Sequence, residues 1–315
     1  MFSHKQTKFA CYAQAATAAT IFGAFFAMHS AGAQQISGQA TAQQATMHVA
    51  LPASGTSGAA KALTPSAPGA TAGGAVTCSA PTELAHFEQP LIHTMRHLAD
   101  GQPLTIVAIG SSSTAGAGAS SPDASYPSRL AVELRARFPG RDITVLNRGV
   151  NGEETTNMMA RFAPDVLVAH PQLVLWQIGT NSVLRDHPLS PHGVQLHDGI
   201  ERLKAAGADV VLIDPQFAPA VLAKSETQGM VEQIALAAKQ EDVDLFQRFA
   251  VMRDWHDVQH LSFDTFVSPD HLHMNDWSYA CLAKLLGGAI VEAATRPIAA
   301  AAVRPDAIPL NPGAH

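Results

Sequence analysis

The chain has 315 residues, and its 20 Lys and Arg residues against 26 Asp and Glu residues give a formal net charge of −6. An acidic balance without a basic patch excludes the usual electrostatic signature of nucleic-acid-binding proteins, so we expect no nucleic-acid partner. The length is sufficient for one domain with a well-filled hydrophobic core.

Residues 1–33 have the pattern of a secretory signal peptide. Lys5 and Lys8 form a basic start, residues 15–28 are apolar, and Ala31 to Ala33 form a small-residue cleavage site. The apolar stretch is short for a membrane span, so we expect cleavage and a periplasmic or secreted protein with no stable span. An uncleaved anchor is the alternative.

Two segments have too little apolar sequence to fold by themselves. Residues 34–78 are mostly Ala, Gly, Ser, Thr, Gln and Pro with hardly any charge, and residues 298–315 are rich in Ala and Pro. Such segments cannot bury enough surface to offset their ordering entropy. We therefore expect a linker, one folded domain over residues 79–297, and a disordered tail.

Within this domain the hydrophobic pattern alternates between helix and strand. The predicted elements in chain order are helix 83–98, strand 104–109, helix 126–138, strand 143–146, strand 173–178, helix 191–206, strand 210–213, helix 228–239, strand 243–246 and helix 275–295. Strands separated by helices favour a parallel sheet covered on both faces, so the pattern predicts an α/β domain with five parallel strands.

Polar loops follow two of the apolar strands. The sequence GSSST at residues 110–114 follows the first strand, and GTN at residues 179–181 follows the third. Because ligands of open α/β sheets bind at the carboxyl ends of the strands, we expect both loops to lie in one crevice. Taken alone, each loop is also consistent with a helix cap or a turn, and so is Gly152.

Asp270 and His273 lie close together near the end of the domain. An imidazole titrates near physiological pH and is suited to accept a serine proton, and a carboxylate three residues earlier can orient its ring. The alternative is a metal site formed by Asp270, His271 and His273. His256 and His260 have helical spacing, and we expect them on a solvated helix face.

Four short blocks occur in the order typical of the SGNH hydrolases, also called GDSL esterases, and the chain resembles that family over residues 104–294. The blocks are GSSSTAG at 110–116, NRGVNG at 147–152, GTNS at 179–182 and DHLH at 270–273. The resemblance makes residues 79–297 an SGNH hydrolase domain. It implies a flavodoxin-like three-layer α/β/α sandwich with strand order 2-1-3-4-5 and catalysis without a metal or organic cofactor.

The resemblance also implies a role for each block. Ser112 corresponds to the nucleophile, His273 to the general base and Asp270 to its orienting carboxylate. The oxyanion hole would consist of the backbone N–H groups of Ser112 and Gly152 and the side-chain amide of Asn181. These groups together would form and hydrolyse an acyl-enzyme.

The chain departs from the family pattern at two positions. Ser111 stands where an aspartate precedes the nucleophile, and Ser182 stands where an aspartate follows the oxyanion asparagine. Three consecutive serines, 111–113, are therefore formal nucleophile candidates. The register with the following Thr, Ala and Gly favours Ser112.

Other residues are candidates for substrate contacts or for a cross-link. Gln216 and Phe217 follow the fourth strand and are candidate pocket residues, with a packed loop as the alternative, and Arg185 is a candidate polar contact. Cys11 would leave with the signal peptide, and the remaining pair, Cys78 and Cys281, would be able to form a disulfide in an exported protein. Two buried free thiols are the alternative.

These observations together predict an exported serine esterase that hydrolyses short O-acyl esters, most simply acetyl esters, on extracellular or cell-surface carbohydrate or on a small molecule. The alternatives are a carbohydrate O-acyltransferase, a lipase, thioesterase or aryl esterase with the same blocks, a non-catalytic carbohydrate-binding protein, and the metal-dependent hydrolase.

Overall fold

The structure is a computed structural model and describes residues 76–297. The predicted signal peptide (1–33), all but the last residues of the predicted linker (34–78) and the predicted tail (298–315) lie outside the described residues. The strands are β1 Leu104–Gly110, β2 Ile143–Gly149, β3 Leu173–Gln177, β4 Asp209–Ile213 and β5 Asp244–Phe246.

Helices connect and cover the strands. The α-helices are α1 Ile92–Asp100, α2 Ser112–Ala115, α3 Tyr126–Arg137, α4 Thr155–Ala160, α5 Phe162–Asp165, α6 Thr180–Leu184, α7 His192–Ala205, α8 Pro219–Leu222, α9 Thr227–Gln240, α10 Arg248–Asp257, α11 Phe263–Phe266 and α12 Asp276–Thr295. Short 3-10 turns span Thr82–Leu84, Pro122–Ala124 and Leu167–Ala169. No helix of the described range is long and apolar enough to cross a membrane.

The five strands form one parallel sheet in the order β2-β1-β3-β4-β5. Leu104 of β1 pairs with Ile143 of β2, and Leu173 of β3 pairs with Asp209 of β4. The predicted five-stranded parallel sheet and its order are confirmed.

Alternate side chains of each strand enter two separate hydrophobic cores. In β3, Leu173 and Leu175 belong to the core on one face, whereas Val174 and Trp176 belong to the core on the other. This separation follows from the two-residue period of a strand, which points successive side chains to opposite faces. The first core includes residues of α1, α3 and α12, and the second includes residues of α7 and α9, which gives the predicted three-layer α/β/α sandwich.

The predicted helix over residues 83–98 is wrong in its first half. The chain forms only a 3-10 turn at Thr82–Leu84, and α1 begins at Ile92. Pro90 lacks the N–H that a helix interior needs and disfavours helical backbone at the residue before it. The start of α1 is fixed instead by Asp209, whose carboxylate accepts the N–H of Thr94 at 2.9 Å.

The pairing of His256 and His260 on one helix face is also wrong. Helix α10 ends at Asp257, and His260 has a left-handed backbone with φ of 57°. His256 stacks on Phe263 with ring centroids 4.2 Å apart. The loop after α10 therefore separates the two imidazoles that helical spacing would align.

A disulfide joins Cys78, in the segment before the first turn, to Cys281 on α12. The same segment is held by Trp255, whose indole N–H donates to the carbonyl oxygen of Ser79 at 2.8 Å. These contacts fasten the start of the described chain to α12 and to α10.

Candidate active site

The carboxyl ends of β1, β2 and β3 carry the loops that contain three of the four sequence blocks. Ser112 is the first residue of α2 directly after β1, Gly152 follows β2, and Asn181 lies in α6 after β3. Because β1 lies between β2 and β3 in a parallel sheet, these three loops lie side by side at the carboxyl ends of the strands. The shared crevice expected from the sequence therefore lies at the switch point of the sheet.

Ser112 contacts His273 directly, with 2.8 Å between the serine Oγ and the imidazole Nε2. The two neighbouring serines are buried. Ser111 donates its hydroxyl to Oε1 of Gln177 at 3.0 Å and does not face the histidine. Of the three consecutive serines, it is thus Ser112 that the structure pairs with His273.

Asp270 accepts a hydrogen bond from the other ring nitrogen of His273, with 2.6 Å between Oδ2 and Nδ1. Its Oδ1 accepts the backbone N–H groups of Leu272 and His273, both at 2.9 Å, and the hydroxyl of Ser268 at 2.7 Å. Burial raises the pKa of the Asp270 carboxyl, but these hydrogen bonds, led by that of His273, outweigh it and hold the pKa well below its usual range. The carboxylate is therefore ionised at neutral pH.

The metal alternative requires His271 as its third ligand. This residue has a left-handed φ of 60°, and its carbonyl oxygen accepts the N–H of Ala220 at 3.0 Å. Within residues 76–297, no three His, Cys, Asp or Glu side chains are grouped so that they could hold a metal ion. Both ring nitrogens of His273 are already engaged by Asp270 and Ser112.

Three N–H donors at this edge are available for a ligand. In the described part of the chain, the backbone N–H groups of Ser112 and Gly152 have no hydrogen-bond acceptor. The Asn181 amide donates one N–H to the carbonyl oxygen of Glu153 at 2.8 Å, which leaves its second N–H. Gly152 has a φ of 77°, a left-handed backbone that favours glycine.

Arg185 contacts the loop that contains Gly152. Its guanidinium donates to the carbonyl oxygen of Gly152 at 2.8 Å and to the carboxylate of Glu154 at 2.6 Å. Glu154 also accepts the hydroxyl of Ser182 at 3.0 Å, so a glutamate contacts the serine at the position where the SGNH pattern has an aspartate. A substrate contact of Arg185 stays a prediction, since the structure shows its guanidinium bound to the loop.

Arg161 ties the same loop to the end of β1. It donates to the carboxylate of Glu153 at 2.7 Å, to the carbonyl oxygen of Arg148 at 2.7 Å and to that of Gly110 at 3.3 Å. No motif marks Arg161 in the sequence, because two of its acceptors are backbone carbonyl groups. Gln177, by contrast, is a polar residue that ends an otherwise apolar strand, a signal that would have singled it out.

Gln216 and Phe217 are buried rather than open to the crevice. Gln216 is 1% exposed and Phe217 is 7% exposed. The Phe217 ring packs on Phe249 and Phe263, with centroid distances of 5.2 Å and 5.9 Å. This packing favours the packed-loop alternative over pocket-lining roles for both residues.

The fold and this arrangement define a three-layer α/β/α protein with a polar site at the carboxyl ends of a parallel sheet. Residues 77–296 match the Non-GDSL lipase-like family, and the chain belongs to that family.

A named protein is similar to part of this chain. The chain is 36% identical over 96 residues to a protein named arylesterase from Vibrio mimicus, an alignment that covers 30% of this chain and 46% of that one. The chain therefore matches less than half the length of this relative.

Two solved structures share the fold at low sequence identity. A two-domain esterase (CEX) active on acetylated mannans, co-crystallised with mannopentaose, has a TM-score of 0.58 and 18% identity, covering 67% of this chain and 56% of that one. A catalytic mutant of Axe2, an acetylxylan esterase from Geobacillus stearothermophilus, has a TM-score of 0.52 and 18% identity, covering 59% and 94%.

Proposed function

We propose that the protein is a serine esterase of the SGNH type, which hydrolyses O-acyl esters through an acyl-enzyme. The observation that carries the proposal is the continuous hydrogen-bonded chain from Asp270 through His273 to Ser112, with distances of 2.6 Å and 2.8 Å. Membership of a lipase-like family supports ester chemistry at this site.

In the first half of the reaction, the Ser112 Oγ attacks the ester carbonyl carbon while Nε2 of His273 accepts the hydroxyl proton. The carbonyl oxygen becomes an oxyanion that the N–H groups of Ser112, Gly152 and Asn181 stabilise. Collapse of this intermediate breaks the ester bond, and the imidazolium returns its proton to the departing alcohol. The acyl group is then attached to Ser112.

In the second half, water replaces the alcohol and His273 accepts one of its protons. Attack on the acyl carbon passes through a second oxyanion, and its collapse releases the carboxylic acid and restores the Ser112 hydroxyl. The ionised Asp270 carboxylate holds the Nδ1–H tautomer of the imidazole and stabilises the imidazolium in both halves.

We further propose a short acyl group, most simply acetyl, on a carbohydrate outside the cytoplasm as the substrate. The support is the fold shared with esterases that act on acetylated mannans and acetylxylan, together with the acidic composition. Export, and with it a periplasmic or secreted location, rests on the signal-like pattern of residues 1–33.

The test is hydrolysis of nitrophenyl esters graded from acetyl to long-chain acyl groups, followed by acetylated xylan and mannan oligosaccharides. Wild type is compared with Ser112→Ala and with Ser225→Ala, an exposed serine in the loop after α8 that serves as the matched control. We expect activity on the short esters in wild type and the control, its loss in Ser112→Ala, and no change on adding a chelator.

Each alternative gives a different result in the same experiment. A preference for long chains indicates a lipase or thioesterase, and loss of activity with chelator indicates the metal-dependent hydrolase. Acyl transfer to added sugar in competition with water indicates an O-acyltransferase. Binding of carbohydrate without turnover of any ester, in folded wild type, indicates a non-catalytic protein and contradicts the proposal.

A further inference from the structure

One buried side-chain amide, that of Gln216, connects the loops of three sequence blocks. Gln216 lies in the loop after β4, and its Oε1 accepts the hydroxyl of Thr180 at 3.0 Å and, more weakly, that of Ser113 at 3.5 Å. Its Nε2 donates to the carbonyl oxygen of Leu272 at 3.2 Å. Each of these three partners is the direct chain neighbour of a residue of the proposed site.

Arg248 fixes which way this amide points. The guanidinium is 0% exposed, and its Nη2 donates to Oε1 of Gln216 at 3.1 Å while its Nε donates to the backbone oxygen of Asp214 at 2.9 Å. A guanidinium can only donate, so the amide oxygen must face it and the amide nitrogen must face Leu272. A buried cation makes reversal of the amide costly, because its donor would lose an acceptor.

We propose that Gln216, oriented by Arg248, is a positioning residue that sets the His273 loop relative to Ser112. The inference rests on the proposed function. The Nε2 of Gln216 donates to the carbonyl oxygen of Leu272, the residue before His273. Its Oε1 accepts the hydroxyl of Ser113, the residue after Ser112. The amide thus fixes the position of the loop that carries His273 relative to the loop that carries Ser112. Small displacements of reacting groups carry large rate penalties, about 10²-fold for a 1 Å misplacement.

The substitution Gln216→Glu isolates the link to Leu272. A carboxylate keeps an acceptor for Arg248 and Thr180, so the buried guanidinium retains its partner. It replaces the donor toward Leu272 by an oxygen that repels the carbonyl group there. We expect kcat to fall about 10- to 100-fold because the His273 loop shifts, with KM changed less than about twofold because Gln216 is buried away from the crevice.

The chain offers a matched control, Gln172, at the amino-terminal ends of the strands. Gln172 accepts the N–H of Thr105 at 2.8 Å with Oε1 and donates with Nε2 to the carbonyl oxygen of His170 at 2.8 Å. Gln172→Glu therefore removes the same kind of donor far from the site. We expect its kcat to equal that of wild type.

Two readouts separate positioning from a general loss of structure. The first is kcat per site titrated with a fluorophosphonate, since unfolded protein lowers the number of titrated sites and not the rate of each. The second is the low-field NMR resonance of the His273 Nδ1 proton, which reports its bond to Asp270. We expect Gln216→Glu to move this resonance and Gln172→Glu to leave it in place.

The inference is overturned if folded Gln216→Glu has wild-type kcat per titrated site and an unmoved His273 resonance, or if Gln172→Glu loses as much. If Gln216→Glu does not fold, Gln216→Met replaces it, removes both functions of the amide, and is expected to lose at least as much kcat. Failure of the proposed function is distinct, because wild type then hydrolyses no ester, or hydrolysis persists in Ser112→Ala, while the His273 resonance still tests the role of Gln216.

Discussion

Asn181 donates a side-chain N–H to the backbone carbonyl oxygen of Glu153 at 2.8 Å. The amide plane of a residue after β3 is thereby fixed by the loop after β2. Since Nδ2 carries two hydrogens, this bond also sets the direction of the second one. The proposed oxyanion donors Gly152 and Asn181 are thus coupled through Glu153, the residue that follows Gly152 in the same loop.

Replacing Asn181 tests this donor. Asn181→Ala removes an oxyanion hydrogen bond and the bond that orients the Gly152 loop, so we expect kcat to fall about 10²- to 10³-fold. KM should change little, because the ground-state ester gains less from the donor than the oxyanion does. The measurement is steady-state hydrolysis of nitrophenyl acetate, with thermal unfolding as the control for folding. A fall of less than tenfold would remove Asn181 from the oxyanion hole.

Replacing Asp270 tests the orientation of the imidazole. Asp270→Asn keeps the size of the side chain but presents an uncharged amide to Nδ1 of His273, so it no longer favours the Nδ1–H tautomer. By analogy with the serine-protease triad, we expect kcat to fall about 10³- to 10⁴-fold. The rates are measured at several pH values above neutrality. An activity within tenfold of wild type would show that the carboxylate is dispensable.

The strands and the four blocks were predictable because local sequence patterns determine them. Apolar runs such as residues 104–109 mark buried strands, and the short blocks mark the loops that follow. The partners of the two departing serines were not predictable, since Ser111 bonds to Gln177 and Ser182 to Glu154 across long stretches of chain. Contacts of this kind depend on tertiary packing, which no local period reports.

The structure differs from the expected pattern at Pro90, and at Gln216 it selects one of two alternatives. Pro90 interrupts an amphipathic pattern that otherwise continues across it, so the pattern predicts one helix over residues 83–98. The position of Gln216 after a strand predicts either a pocket residue or a packed loop, and the sequence does not decide between them. The burial of Gln216 depends on Arg248, from the helix after β5, whose approach the sequence does not reveal.

We expect removal of the disulfide to lower the free energy of unfolding without changing catalysis. Cys78 and Cys281 are separated by 203 residues, so the cross-link constrains a long loop of the unfolded chain. We expect Cys78→Ser, compared with wild type in denaturant unfolding, to lower the free energy of unfolding by about 2–5 kcal/mol. The kcat of the folded variant at 25 °C should match that of wild type. Equal unfolding midpoints with and without the cross-link would contradict this.

The raised pKa of Asp244 makes the stability of the fold depend on pH. Burial raises its pKa to about 6, although its Oδ1 accepts the N–H of Gln89 at 3.0 Å. The folded state therefore binds the proton more tightly than the unfolded state, whose pKa is about 4. This contribution to stability is complete below about pH 4 and is lost as the pH rises through about 6.

The variant Asp244→Asn isolates this contribution, because an amide keeps the acceptor for Gln89 and cannot ionise. Between about pH 4 and 7, wild type should lose stability relative to the variant, measured as the difference in unfolding free energy at each pH. Glu88, which raises the pKa, and Arg296, which lowers it, are the charged neighbours present in both proteins. Parallel stability curves would show that Asp244 has no raised pKa.

Covalent labelling identifies the nucleophile, which we propose to be Ser112. The protein is treated with a fluorophosphonate, and peptide mass spectrometry locates the adduct while ester hydrolysis is followed in the same sample. We expect one adduct per molecule, on Ser112, with hydrolysis lost in proportion, and no adduct on Ser112→Ala. An adduct on another residue, or ester hydrolysis that survives in Ser112→Ala, would contradict it.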